Sequence, residues 1–389
     1  MAEHRVVGVG RTFWLDQLTD AERAALGRGA GAVPRPRPDV LIVGGGIVGA
    51  ATAAACRGAG LGSVLLIEAG RLGSGATGGA AGLLTPEIHE WSDPALFVDL
   101  ARSSLARWKQ LEQACPGGVG LVQLDWIGLV PDPSDFAPHQ PPAVEWLDAG
   151  QIKEFVPGLA LPMAGALIRG QARVNPLRAI VRLTSQLPDV ATGVAATSVD
   201  IRGDQVVCVG TSAGDVHPGA VVFATGRPPV LDGLPLDVPS EVVKGHLLVT
   251  EPVSVRLPGT VAPVATQLED GRLLAGGTFD TGDYSPAVRQ DVIDAILGGL
   301  RAALPELRGV GASHQWCCFR PRHPDGRPVI DRVPGLCNVW FTSGHFRTGI
   351  LMAPVTAQAL VSWISTGQPP AEAPAWSTGR FAHWAHAGD

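Results

Sequence analysis

Short runs of consecutive apolar residues punctuate the chain and place most of its elements. Residues 39–43, 64–67 and 220–224 are such runs; each predicts a buried strand, and 338–342 a last one. A helix of small residues, 50–60, lies between the first two. Longer mixed stretches predict helices at 92–114, 286–304 and 349–364, and one at 175–187 opened by Asn175-Pro176, with Pro in the first turn. Strands are expected over 119–131, 242–250 and 273–275, a hairpin over 198–209 turning at Gly203-Asp204, and a loop over 131–142. Upstream, Thr19-x-x-Glu22 is a capping box for a helix at 20–26. Pro34-Arg35-Pro36-Arg37-Pro38 then reads as a stiff extended linker. The mixed strand and helix order, with no visible repeat, predicts two interleaved domains of α/β or α+β type.

Composition narrows the class. The 389 residues suffice for two or three domains at roughly 100–200 residues each. With Lys+Arg 30 and Asp+Glu 36 the formal charge is -6, and no basic block is present, so a nucleic-acid partner is not expected. Six cysteines include no C-x-x-C pair, which speaks against zinc or any other metal site. Free thiols in a reducing, cytoplasmic compartment are expected. Residues 1–38 lack the apolar core of a secretory signal, and the longest apolar stretch, 40–56, is broken by glycines. No membrane span is expected. Composition leaves the oligomeric state open, an oligomer included. Glycine is abundant at 50 residues, so its meaning rests on where it clusters.

It clusters first at Gly44, Gly46 and Gly49, a G-x-G-x-x-G that follows a strand and opens a helix. The first glycine permits a tight turn, the second lets backbone approach a pyrophosphate, and the third lets helix and strand pack closely. The helix N-terminus, with Ile47 and Val48 in its first turn, offers N–H groups to phosphates. Glu68, 24 residues after Gly44, ends the second strand where a carboxylate can hydrogen-bond a ribose 2′-OH. This pattern binds a dinucleotide; by itself it does not separate NAD from FAD.

The segment Glu68-Ala69-Gly70-Arg71-Leu72-Gly73-Ser74-Gly75-Ala76-Thr77-Gly78-Gly79-Ala80-Ala81-Gly82-Leu83-Leu84 resembles the one after the ribose acid in the D-amino-acid oxidase superfamily of flavoenzymes. Val221-Val222-Phe223-Ala224-Thr225-Gly226 resembles that superfamily's second signature. The C-terminal blocks Phe319-Arg320-Pro321, Pro324-Asp325-Gly326-Arg327-Pro328 and Gly344-His345-Phe346-Arg347-Thr348-Gly349-Ile350-Leu351-Met352-Ala353-Pro354 are similar, in order, to those of the glycine oxidase and sarcosine oxidase group. The resemblance covers about 39–366. It implies an α/β fold: a Rossmann-like FAD-binding domain (39–110, 172–235, 312–366) interleaved with a mixed-sheet α+β substrate domain (111–171, 236–311). An N-terminal extension (1–38) and a C-terminal tail (367–389) lie outside.

The resemblance further implies FAD as cofactor, and oxidation of the C–N bond of a small amino acid or N-substituted amino acid by hydride transfer to flavin, giving an imine. Cofactor positions it implies are Gly44, Gly46, Ile47, Val48, Gly49, Glu68, Ala69, Ala76, Thr77, Ala81, Gly82, Leu83, Thr225, Gly226 and residues 344–351 (Gly344, His345, Phe346, Arg347, Thr348, Gly349, Ile350, Leu351). Arg320 stands at the carboxylate-binding position; a guanidinium gives the bidentate fork that a carboxylate needs. Arg347 and His345, placed near the flavin by the resemblance, join Arg320 as candidate catalytic residues. Some relatives bond the flavin to a cysteine whose position falls on Cys318; others hold it non-covalently. The active-site tyrosine of glycine oxidase falls near Val264, the oxygen-activating lysine of sarcosine oxidase near Leu274, and Asp331 stands where glycine is usual. The electron acceptor, oxygen or another, therefore stays open, and an FAD-dependent amino-acid dehydrogenase is the alternative enzyme. A flavin-binding protein without catalysis and a nicotinamide-linked enzyme complete the alternatives.

Overall fold

The computed structural model describes residues 12–132, 143–160 and 162–381. Most of the loop expected at 131–142 lies outside the described residues, as do 1–11 of the extension and 382–389 of the tail.

Two short helices come first, α1 (Phe13–Asp16) and α2 (Asp20–Ala25). At α2 the capping box forms: Glu22 N donates to Thr19 Oγ1 (3.2 Å) and Thr19 N to Glu22 Oε2 (2.9 Å). The unit built on the glycine turn is β1 (Val40–Val43), α3 (Ile47–Gly58) and β2 (Val64–Glu68). Then follow β3 (Leu83–Leu84), α4 (Ala95–Ala114), β4 (Leu121–Val130), β5 (Val144–Leu147), α5 (Ala149–Phe155), β6 (Ala164–Val174) and α6 (Pro176–Thr184). Asn175 caps α6, its Oδ1 accepting from Leu177 N at 3.0 Å. Next come β7 (Asp189–Thr192), the ribbon β8 (Ala196–Arg202), β9 (Gln205–Thr211) and β10 (Gly214–Val216), and β11 (Ala220–Gly226). The rest is β12 (Glu241–Thr250), β13 (Gly259–Ala262), β14 (Ala265–Gln267), β15 (Leu273–Gly276), α7 (Gln290–Ala303), β16 (Ala312–Arg322), β17 (Val329–Arg332), β18 (Val339–Ser343), α8 (Gly349–Thr366) and α9 (Ala373–Trp376).

Two large sheets organise these elements. The first has the order β17-β18-β11-β1-β2-β7 and is parallel except for β17 at its edge. Its central strand reads Val-Leu-Ile-Val and is buried on both faces, as a parallel sheet requires. The second has the order β16-β12-β15-β14-β13-β4-β6-β3, with β5 also on β6. Here the domain boundary drawn at 312 shifts. β16 pairs along β12 from Arg322 opposite Glu241 to Ala312 opposite Thr250, so 312–322 travels with the second sheet. β6 likewise crosses the boundary at 171/172, because β4 holds one of its edges and β5 and β3 the other.

The largest hydrophobic cluster lies where α3, α4, α6 and α8 meet the sheets. By length and composition α8 passes for a membrane-crossing helix (18 residues, mean hydropathy 1.3), yet 61% of it is buried inside the protein. Pro354 interrupts it and cannot donate to the carbonyl one turn back. Side chains of α4 fill the gap: Trp108 Nε1 donates to Ile350 O (3.0 Å) and Ser104 Oγ to Leu351 O (2.6 Å). This fixes the N-terminal turn of α8, which follows the block 344–348.

Candidate active site

The first half of the site is backbone. Gly44 leaves β1 at φ +116, and a Cβ there would sit 2.4 Å from Ala224 O of β11. A Cβ on Gly49 would lie 1.9 Å from Gly44 O, so α3 can ride on the strand only without it. Gly46 is the N-cap of α3 and supplies no side-chain acceptor, which leaves first-turn donors for an anion. Gly45, which the motif does not single out, is equally constrained: its Cβ would meet Leu72 Cδ2 at 2.5 Å and Glu68 Cβ at 2.8 Å. Glu68 braces this turn, accepting from Gly45 N at Oε2 (2.7 Å) and from Gly70 N at Oε1 (2.8 Å). The loop after it crosses the same helix end, where Thr77 Oγ1 accepts from Ile47 N at 3.1 Å. Its far end, past Ala81, turns at Gly82 (φ +79) and enters the second sheet as Leu83 pairs with Arg173.

Two turns at the ends of β11 and β18 meet beside it. Gly226 (φ +80) accepts from Gly344 N at 2.8 Å, and Thr225 Oγ1 donates to Arg227 O. Gly344 (φ +68) leaves room for the His323 ring, which a Cβ would approach to 2.0 Å. That buried histidine, bonded to Pro239 O and Ser343 Oγ, carries no signal in the sequence that marks it as a support. His345 is buried as well, with Nε2 3.1 Å from Thr356 Oγ1 of α8; burial pushes its pKa down to about 3. It is therefore neutral at physiological pH. Phe346 has φ +48, a left-handed conformation that costs a bulky residue energy and clusters at functional sites. Two bonds hold that turn: Phe346 N donates to Pro321 O (2.9 Å) and Thr348 Oγ1 to His345 O (2.8 Å).

The second half is side chain. Strand alternation puts Trp316, Cys318 and Arg320 on one face of β16 and Cys317 and Phe319 on the other. The face of Trp316 meets the loop: its Nε1 donates to Gly79 O at 2.9 Å. Arg320 can lie flat because Gly245 stands beneath it; a Cβ there would come 2.2 Å from Nη2. Its Nη1 donates to Thr278 O at 2.7 Å. Thr278 is itself fixed from the opposite face of β12, accepting at Oγ1 from His246 N (2.9 Å) while Asp280 bridges Thr278 and His246. Lys244, fully buried, adds bonds to Asp283 and Ala287 O, both at 2.8 Å. Both anchor the stretch that carries Phe279, whose ring lies 5.1 Å from the Arg320 guanidinium and 5.4 Å from that of Arg347.

Neither Arg320 nor Arg347 has a carboxylate within 4 Å among the described residues, while the other arginines around them, such as Arg322 with Glu241 and Arg327 with Asp93, do. The surrounding protein and the Arg320 charge lower the pKa of Arg347, and Asp93 opposes the shift. Two cations facing one exposed aromatic ring form a ready anion site. Cys318 is buried on the Arg320 side and its thiol pKa is raised by burial, whereas Cys317 faces Pro286 O on the far side.

The family model for FAD dependent oxidoreductases (DAO) matches residues 39–363. The chain belongs to this family. A glycine oxidase of Pseudomonas aeruginosa is 29% identical over 357 residues, covering 85% of this chain and 95% of that relative. The crystal structure of glycine oxidase from Geobacillus kaustophilus superposes with a TM-score of 0.76 at 27% identity, over 88% of this chain and 98% of the other. L-proline dehydrogenase from P. horikoshii has the same fold, with a TM-score of 0.78 at 20% identity over 90% of this chain. As a member of the FAD-dependent oxidoreductases the chain uses FAD, and the site fits it: an anion-ready helix end, a carboxylate at the tip of β2, and a small-residue loop joining them to the Arg320 face. Asp331 is accounted for by structure, since its Oδ2 accepts from Thr378 N and Oγ1 (2.8 and 2.9 Å) and ties down the chain after α9.

Proposed function

We propose that this FAD-dependent oxidoreductase oxidises the C–N bond of a small amino acid or N-substituted amino acid, with Arg320 binding the substrate carboxylate. FAD, when bound, supplies the two-electron acceptor. Gly44, Gly46, Gly49 and the first turn of α3 would hold its pyrophosphate, Glu68 its ribose, and residues 225–226 and 344–351 the surroundings of its ring. The protein's share is then orientation. Arg320, preset by Thr278 O and free of any carboxylate partner among the described residues, fixes one end of the substrate. That single observation carries the assignment, because a half-buried guanidinium held in place without a counter-ion leaves its fork open to a ligand carboxylate. Arg347 and Phe279 border the same space. With the carboxylate anchored, the carbon beside nitrogen is presented to the acceptor; the C–N bond becomes C=N as two electrons and a proton leave carbon and a proton leaves nitrogen. The imine then hydrolyses in water.

The acceptor after FAD is oxygen or another molecule. Leu274, buried in β15 where some relatives place an oxygen-activating lysine, leaves both open. All six cysteines are free, which supports a reducing, cytoplasmic location. The test is an anaerobic screen of small amino acids and N-alkyl amino acids, read as loss of flavin absorbance. Bleaching by an amino acid but not by the matching amine without its carboxylate is expected; equal bleaching by both contradicts the proposal. Oxygen uptake with peroxide release then separates oxidase from dehydrogenase.

A further inference from the structure

Six of the fourteen residues 69–82 are glycines, so the loop beside the FAD turn is entropically expensive to order. It is held by a part of the chain that lies before residue 39, where the family match begins. We propose that residues 12–31 are a strap that pre-shapes this loop for FAD, with Trp14 as its positioning residue.

Trp14 is fully buried and its Nε1 donates to Ala80 O at 2.7 Å. From the other side Trp316 of β16 donates to Gly79 O. Two indoles, one from the strap and one from the second sheet, thus pin two consecutive loop carbonyls. At the loop's start Leu72 N donates to Leu26 O (2.9 Å), again in the strap. The strap does not depend on the loop for its own place. Asn175 Nδ2 donates to the Trp14 carbonyl at 3.1 Å, Glu22 takes Arg182 at 2.9 Å, and Gly31 N donates to Thr192 O at 2.8 Å on the edge of the parallel sheet. The Arg173 guanidinium, paired with Glu269, covers the Trp14 ring at 5.6 Å. The loop in turn reaches the FAD turn, since Gly73 N donates to Gly45 O at 2.9 Å. A fixed platform lets the loop be ordered before FAD arrives, and pre-organisation of this kind raises affinity without a new contact to the ligand.

The test is titration of apoprotein with FAD, followed by quenching of FAD fluorescence. Trp14→Phe keeps a ring and removes the N–H; it should weaken FAD binding by roughly 3- to 10-fold with the apoprotein's melting temperature close to wild type. Asp16→Asn, which disturbs the strap's contact with His314 of β16, should leave FAD affinity unchanged. Unchanged affinity in Trp14→Phe, or equal weakening in Asp16→Asn, overturns the proposal. Hydrogen exchange on the wild-type protein gives a reading that needs no variant. The Leu72 amide should be protected in apoprotein; protection that arises only after FAD is added overturns the proposal too.

Discussion

The two sheets build their halves of the site by different means. Around the parallel sheet the working groups are backbone: a turn from Gly44 to Gly49, the first turn of α3, and a loop braced by Glu68. Around the second sheet they are side chains whose supports come from strands far apart in sequence. Arg320 rests on Gly245 of β12, is bonded to Thr278 after β15, and shares Phe279 with Arg347 from the block before α8. A backbone site needs certain residues absent, so single added methyl groups destroy it. A side-chain site needs a few residues present, so it loses affinity by degrees.

The largest effects are therefore expected at the glycine turn. Gly49→Val places a side chain on Gly44 O and should abolish folding or cost several kcal/mol, since overpacking by one group already costs about 1–3 kcal/mol. Gly46 is different: a Cβ there meets only Thr77 Oγ1, at 3.3 Å. Gly46→Val should purify folded but without flavin. Normal flavin content in that variant would remove the turn from the FAD site.

A smaller effect separates the buried histidine of the first region from the arginines of the second. The folded pKa of His345 is about 3 against an ordinary 6.5. Above pH 6.5 both states are neutral and the protein has its full stability. As pH falls from 6.5 towards 3 the unfolded chain takes up a proton that the folded one refuses, so stability declines across this window. His323 and His246, both lowered by burial, add to the slope. Melting temperature against pH should fall below about pH 6.5, and His345→Gln should flatten the curve; an unaltered slope would place His345 in contact with solvent.

Next in size is the support of Arg320. His246→Gln keeps the backbone bond to Thr278 but removes the ring's contacts with Thr278 Oγ1 and Asp280, without touching the anion site. It should raise KM by roughly 2- to 10-fold, the worth of one hydrogen bond, with kcat and flavin content little changed. A fall in kcat alone would show that His246 serves some other step. Least is expected of Cys318. Burial raises its thiol pKa, and a thiol is a poor nucleophile. Acid precipitation should release all flavin into the supernatant; a yellow pellet would establish a covalent link.

The same contrast explains what the sequence disclosed. The turn, its strand and helix, the capping box at Thr19, the Asn175 cap and the hairpin at Gly203-Asp204 depend on neighbours within a few residues, and local pattern marks them. Arg320 was legible only through likeness to a family. Its partners were not: Gly245 is a lone glycine in a strand, and Thr278 acts through its carbonyl, which every residue has. β6 carries no such mark, because Ala-Gly-Ala-Leu-Ile-Arg-Gly-Gln-Ala-Arg-Val, flanked by strands on both edges, has no alternation to reveal it. Trp14 looked like part of an appendage, since nothing within the extension shows that Ala80 lies beneath it.

The most direct test of this division is Arg320→Ala, purified with FAD and examined for two quantities together: flavin bound per protein, and the substrate concentration that half-bleaches the flavin without oxygen. Flavin content should equal wild type and the half-bleaching concentration should rise by about 10- to 100-fold, as loss of a charge-assisted hydrogen bond to the carboxylate implies. An unchanged half-bleaching concentration, or loss of flavin from the variant, would contradict this division.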